Sequence, residues 1–212
     1  HPQEALERKE VIGGTKDLNL SKILGLQPDL IIGNKEENIK EQIEELRQYV
    51  PVWLSDIKTI DDGLGMIKRL GGITESTSVA SNLIEQIEFE RLKLLRLRKK
   101  LRVAYFIWKN PMMMAGPNTF IGKMLEECGF INVALDNGQR YPQVPFDRIY
   151  ELEADLILLS SEPYAFTAGD AHHISERNSG SIIKVVDGEL FSWYGSRMAR
   201  SFSYFQKLLK NL

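Results

Sequence analysis

The chain has 212 residues, 43% hydrophobic and 26% charged, with 27 Lys and Arg against 29 Asp and Glu for a formal net charge of -2. These values lie near the averages of globular domains and exclude a disordered, collagenous or channel-forming chain. They provide no global positive field for nucleic acid, and no apolar run approaches the roughly 20 residues that span a bilayer.

The start, HPQEALERKE, carries no positive-then-apolar leader, so the opening residues do not fix a compartment. From there, short aliphatic runs alternate with longer amphipathic segments. In chain order the pattern predicts a strand at 11–12, a strand at 30–32, a helix over 36–48, a strand at 52–54 and a helix over 60–70. A long helix over 75–100, free of Pro and Gly, follows; at about 1.5 Å per residue it would extend nearly 40 Å, long enough to join two lobes. Then come a strand at 103–107, a helix over 119–127, strands at 156–159 and 182–186 and a helix over 196–209. The strands are continuously apolar rather than alternating, which predicts sheets covered on both faces and hence a mainly parallel α/β fold. The expected organisation is an N-terminal lobe over 1–74, a backbone helix over 75–100 and a C-terminal lobe over 101–212.

An internal echo supports two related halves. ILGLQPDLIIGNKE at 23–36 aligns without gaps on IYELEADLILLSSE at 149–162, matching a turn of helix, an acidic turn, an apolar strand and a terminal glutamate. Ligands of open α/β sheets bind beyond strand carboxyl ends, which draws attention to Glu36 and Glu162.

Enzyme signatures are missing. The paired glycines at 13–14 and 71–72 belong to no phosphate-binding fingerprint, and no G-x-S-x-G elbow occurs. The three histidines are His1, His172 and His173; adjacent residues on a helix diverge by about 100°, so a histidine-built metal site is not expected. The single cysteine, Cys128, excludes an internal disulfide and reads as a small buried side chain before a helix-ending glycine. Seven of the twelve residues in RLKLLRLRKKLR at 91–102 are cationic, which suits the solvated face and negative end of a helix as well as it suits an anionic partner.

The sequence does supply soft and aromatic side chains in polar loops. KNPMMMAGPNTF follows one predicted strand end, SSEPYAF another and DGELFSWYGSR a third, with QRYPQVPFD between them. Met113, Met114, Tyr141, Tyr164, Phe191, Trp193 and Tyr194 are therefore candidate ligand contacts, suited to a large planar or bulky ligand. Arg197 and Lys16 are candidate partners for its polar groups, and Glu162 joins them as the acid past the 156–159 strand. The alternative is an α/β enzyme doing acid-base work with Glu162 and Tyr164.

The ordered series GGTKDLNLSKILGLQPDLIIGNKEEN, a long helix, FIWKNPMMMAGPNTFIGKMLEECGF, RYPQVPFDRIYELEADLILLSSEPY and VVDGELFSWYGSR resembles the helical-backbone substrate-binding proteins of ABC importers. These capture cobalamin, heme and ferric siderophores. The resemblance implies two α/β lobes joined by one helix, a ligand held between them, no catalysis and no covalent cofactor, and work in the periplasm or on the outer face of the cytoplasmic membrane. It implies that Met113 stands where an aromatic contacts the ligand and Tyr141 where a cleft tryptophan does. It further implies that Glu36 and Asp147 dock onto the permease, with Glu162 contesting the second place. The family's first lobe opens with a strand, helix and strand before GGTK, and this chain has only about ten residues there. The expectation is a truncated first lobe, and a monomer unless that incomplete sheet pairs with another chain.

Overall fold

The computed structural model describes residues 3–95, 99–134, 138–178 and 180–212; Arg96, Leu97 and Arg98 of the basic run lie outside the described residues. The chain divides into two compact units, His1–Asp56 and Ile57–Leu212.

The first unit contains α1 (Gln3–Arg8), β1 (Gly13–Gly14), β2 (Asp17–Leu18), α2 (Leu20–Gly25), β3 (Ile31–Asn34), α3 (Lys40–Leu46) and β4 (Val52–Ser55). β1 and β2 form an antiparallel hairpin, and β3 and β4 pair in parallel with Ile31 opposite Val52. The strand expected at 11–12 thus falls two residues later. The hairpin turn takes Thr15 and Lys16, and the Asn19 side chain caps α2 from the following position.

The second unit contains α4 (Ile60–Ile73), α5 (Thr77–Leu92), β5 (Arg102–Trp108), β6 (Met113–Met114), α6 (Phe120–Glu127), β7 (Ile131–Asn132) and a 3-10 helix (Phe146–Leu152). β8 (Leu156–Ser160), α7 (Ala168–Ser175), β9 (Ile182–Val186), α8 (Glu189–Ser192) and α9 (Met198–Lys210) complete it. The sheet order is β6-β5-β8-β9, with β7 on β5; all pairings are parallel except β6 on β5. The sheet is therefore mixed, as a mainly parallel α/β reading allows.

Every residue of β8 is buried, as an unbroken apolar run predicts. Alternate residues feed two cores. Val103, Tyr105, Leu156 and Leu158 meet Phe120, Phe202 and other residues of α4, α5, α6 and α9 on one face. Ala104, Phe106, Ile157 and Leu159 meet Ile149, Phe166 and Ile174 from the 3-10 helix, the loop after β8 and α7 on the other.

Helix ends follow their local chemistry. Thr59 and Asp62 form a capping box at α4, Thr167 and Asp170 another at α7, and Thr119 caps α6. α6 ends at Glu127 with Cys128 as its C-cap, and the Gly129 and Phe130 amides return to the Glu126 and Leu125 carbonyls; Cys128 is free and buried, as the sequence predicts.

The helix expected over 75–100 is shorter than predicted. α4 ends at Ile73, Glu75 adopts a left-handed φ of 55°, and α5 runs only from Thr77 to Leu92. Beyond it, Leu94 packs on the core and the Leu95 amide donates to Gln206 Oε1 at 2.6 Å. The compact units also divide at Asp56, earlier than residue 74, because α4 packs on α5 and α6 of the second unit.

The echo between 23–36 and 149–162 has a conformational counterpart. Ile23 and Ile149 are both buried, and the aligned residues Gln27 and Glu153 both adopt left-handed backbone, with φ of 49° and 47°. The strands that follow, β3 and β8, end in Asn34 and Ser160. Asn34 Oδ1 accepts the Glu36 amide at 2.8 Å, and Ser160 Oγ accepts the Glu162 amide at 3.3 Å. The same local device therefore closes both strands.

Leu158→Ala is expected to cost about 2–5 kcal/mol, because it empties a fully buried site in a sheet covered on both faces. Ile182→Ala, at 45% exposure, is expected to cost less than about 1 kcal/mol. Denaturant midpoints at unchanged slope measure both.

Candidate ligand-binding site

Because β5, β8 and β9 run parallel and in register, their carboxyl ends at Trp108, Ser160 and Val186 emerge along one edge of the second unit's sheet. The loops that follow carry the methionine and aromatic residues noted in the sequence.

The floor of this rim is polar and internally satisfied. The Tyr105 hydroxyl donates to Ser160 Oγ at 3.2 Å, and Ser160 Oγ donates onward to the Glu162 carbonyl at 2.6 Å. Complete burial pushes the Tyr105 phenol up, so it remains a neutral donor. The Gly188 amide donates to Ser161 Oγ at 2.9 Å, tying the loop after β9 to the loop after β8. Gly188 is required there: a Cβ would lie 2.2 Å from Ser160 Oγ and 2.7 Å from Glu162 Cγ.

The stretch DGELFSWYGSR, with three aromatics between two glycines, resolves into one turn of helix and a kink. α8 points Phe191 into the core, where it is fully buried at 4.5 Å from the Phe205 ring and 5.0 Å from the Tyr105 ring. The chain then extends at Trp193 and reverses at Gly195, whose φ of 101° is left-handed. Trp193 is left 41% exposed. Its indole is nonetheless restrained, since Nε1–H donates to Glu162 Oε1 at 2.8 Å. Ser192 Oγ donates to the same oxygen, and the Arg197 guanidinium lies 5.4 Å from the Trp193 ring.

Arg197 itself pairs with Glu189 at 2.6 Å and has a side chain only 18% exposed. That pairing answers the awkward placement of a cation at the N-terminus of α9. Tyr194 is half-buried and meets Phe120 edge-on at 5.5 Å.

A second exposed indole sits at the end of β5. Trp108 is 39% exposed, donates from Nε1 to the Asn110 carbonyl at 3.0 Å and meets Tyr164 edge-on at 5.9 Å. Tyr164 in turn meets Phe166 at 4.8 Å. Lys109 ties this loop to α7 through Asp170 at 2.6 Å. The lysine first, and Thr167 next, hold the Asp170 carboxyl down at about 2.

The candidates therefore separate. Glu162, Tyr164, Trp193 and Arg197 come together on the rim. Met113 and Tyr141 are both half-buried on a neighbouring strand-like pairing, in which Met113 bridges Gln143 and the Met114 amide donates to the Pro142 carbonyl. The Arg140 guanidinium lies 5.7 Å from the Tyr141 ring. Met114, at 2% exposure, and Phe191, at 0%, are core side chains and not surface ligand contacts. The physical reason is local geometry: Met112 and Met114, on either side of the half-buried Met113, both turn into one core, and the α8 turn directs Phe191 inward.

In the first unit, Lys16 occupies the hairpin turn and donates to the Glu36 carbonyl at 2.7 Å, with Glu37 at 3.9 Å. Asp147 is exposed in the first turn of the 3-10 helix. His172 and His173 are exposed on α7, and among the described residues no cluster of His, Cys, Asp and Glu is suited to holding a metal. Sequence reasoning missed the Lys109–Asp170 pair as part of the rim. The T-x-x-D capping signature at 167–170 was available and would have placed Asp170 at a helix start.

Residues 1–187 match the periplasmic binding protein family. The chain belongs to that family. Trp193 and Arg197 lie beyond the matched residues. The vitamin B12-binding protein of Vibrio parahaemolyticus is 25% identical over 165 residues, covering 76% of this chain and 59% of that protein. The vitamin B12-binding protein of Vibrio cholerae O395 is 26% identical over 170 residues, covering 78% and 61%. The chain thus spans about three fifths of the length of these relatives.

Among solved structures, the periplasmic vitamin B12 binding protein of Vibrio cholerae superposes with a TM-score of 0.78 at 18% identity, covering 100% of this chain and 85% of that one. A periplasmic heme-binding protein from Roseiflexus gives 0.80 at 19% identity, covering 100% and 86%. At such identities the superpositions establish the family's mixed α/β fold.

Asp170 makes a pH prediction. Its folded pKa, about 2, is below the unfolded value of about 3.9, so its contribution is present above pH 4 or so and is lost as pH falls toward 2. Asp170→Asn is expected to lose about 1 kcal/mol at neutral pH and to flatten the stability profile between about pH 4 and pH 2 relative to the wild type. Chemical denaturation across that range measures it.

Proposed function

We propose that this chain is the solute-capturing component of an ABC importer, working outside the cytoplasmic membrane and binding a bulky metal chelate of the corrinoid, heme or siderophore class. The observation that carries this reading is the pair of partly exposed indoles, Trp108 at the end of β5 and Trp193 in the loop that follows β9, each tethered through its ring nitrogen. Such rings give a bulky ligand apolar area without the entropy of ordering a mobile side chain. Family membership supports the reading, as do relatives and neighbours described as binding vitamin B12 or heme. No helix among the described residues is long and apolar enough to cross a membrane, which suits a component that meets its permease from outside.

In this reading Trp108, Tyr164 and Trp193 contact the chelate, with Met113 and Tyr141 extending the surface. Glu36 and Asp147 serve as the permease-docking acids. Glu162 is not assigned to docking, because its carboxylate receives Ser192 and Trp193. The same engagement argues against the enzyme alternative, in which Glu162 and Tyr164 would act as an acid-base pair.

Isothermal titration of the chain with cyanocobalamin, hemin and a ferric hydroxamate is the test. One of the three is expected to bind, and Trp193→Ala is expected to weaken it about tenfold, or about 1.4 kcal/mol. Failure of all three would overturn the reading. Glu36→Ala and Asp147→Ala are each expected to leave chelate affinity within about twofold while lowering capture by the cognate permease about tenfold, measured by surface-immobilised permease in detergent.

A further inference from the structure

The indole of Trp193 has a more specific support than its neighbours. Three of its surroundings are fixed by chemistry that a purely apolar packing site would not need. The Nε1–H edge meets Glu162 Oε1 at 2.8 Å. Ser192 Oγ, from the preceding residue, shares that oxygen. The Glu162 backbone is held in turn by Ser160 Oγ at 2.6 Å, which Tyr105 fixes from the fully buried sheet at 3.2 Å. Gly188 leaves the room in which the Glu162 chain lies, since a Cβ there would come within 2.7 Å of Glu162 Cγ. A carboxylate accepting an N–H and an O–H on one oxygen makes charge-assisted hydrogen bonds, roughly twice as strong as neutral ones.

We infer that Glu162 is a positioning residue: its side chain fixes the orientation of the Trp193 indole against which the ligand stacks, and it acts through that ring rather than on the ligand. The sequence singled Glu162 out first as a ligand contact or docking acid, and the geometry gives it this different task. Arg197 takes a related part. Glu189 draws its guanidinium into place 5.4 Å from the Trp193 ring, where it restrains the ring. The inference deepens the proposed function and rests on it only for the ligand readout; the state of the indole is measurable without any ligand.

Two readouts on the full chain separate the possibilities. In 1H–15N spectra the Trp193 indole proton, assigned by its disappearance in Trp193→Phe, is expected to exchange at least about tenfold more slowly than a freely hydrated indole. Glu162→Ala is expected to abolish that protection and Glu162→Gln, which keeps an acceptor oxygen, to restore most of it. Chelate affinity should follow the same order, falling about fivefold to tenfold in Glu162→Ala and recovering to within about twofold in Glu162→Gln. In the Trp193→Phe background, which has no ring N–H, Glu162→Ala should weaken binding by less than twofold further.

Should Glu162→Ala fail to fold, the wild-type exchange rate and the Glu162→Gln affinity still decide. An indole proton that exchanges freely in the wild type, or a Glu162→Gln variant that loses affinity while the indole stays protected, overturns the inference. The latter result would make the carboxylate a direct ligand contact. If no chelate binds the wild type, the proposed function fails, and the exchange measurements alone uphold or overturn the positioning role.

Discussion

The burial of β8 is the constraint on which the rest of the second unit depends. A strand with all five residues out of water has to be covered on both faces and paired on both edges, since a buried amide without a partner is costly. Parallel pairing with β5 and β9 meets that requirement and has a geometric consequence: the carboxyl ends of three strands reach the surface together. Short connections then leave the sheet at a single edge. The aromatic loops gather there because the core leaves them nowhere else to emerge.

What the rim adds to this scaffold is restraint. Exposed aromatic side chains in loops ordinarily sample several rotamers, and ordering them on binding costs free energy. Here each exposed indole has its nitrogen committed, Trp108 to a backbone carbonyl and Trp193 to a carboxylate. The loops are themselves tied together, the 187–189 turn to Ser161 and the 109–110 turn to α7 through Asp170. Under the proposed function, a surface built this way favours a ligand that presents a broad apolar face. The recurrence of one strand-ending device in both units, Asn34 in one and Ser160 in the other, indicates that the chain repeats a local solution to the same problem of leaving a parallel strand.

Much of this was legible in the sequence because the signals were strong. Unbroken aliphatic runs located β5, β8 and β9 almost to the residue, and the echo anticipated matching backbone turns at Gln27 and Glu153. The burial of Cys128 followed from its place before a helix-ending glycine. Other features depended on tertiary context. Absence of Pro and Gly suggested one helix over 75–100, yet α5 starts only at Thr77, after the left-handed Glu75, and ends at Leu92, and neither limit has a local signature. Aromatic composition nominated Phe191 and Trp193 alike; only the short α8 turn, set by docking against α9 and β5, sends one inward and the other out. The partners of the Glu162 carboxylate, Ser192 and Trp193, come from the separate loop after β9, which the sequence alone does not bring together with it.

Hydrogen–deuterium exchange by mass spectrometry, with and without the chelate that binds, addresses the central claim most directly. Within the second unit the account predicts slowed exchange concentrated in the loops after β5, β8 and β9, at 108–113, 161–166 and 187–197, with little change in α5 or the remote end of the sheet. Saturating ligand that leaves those three loops unchanged while protecting another surface of this unit would contradict it.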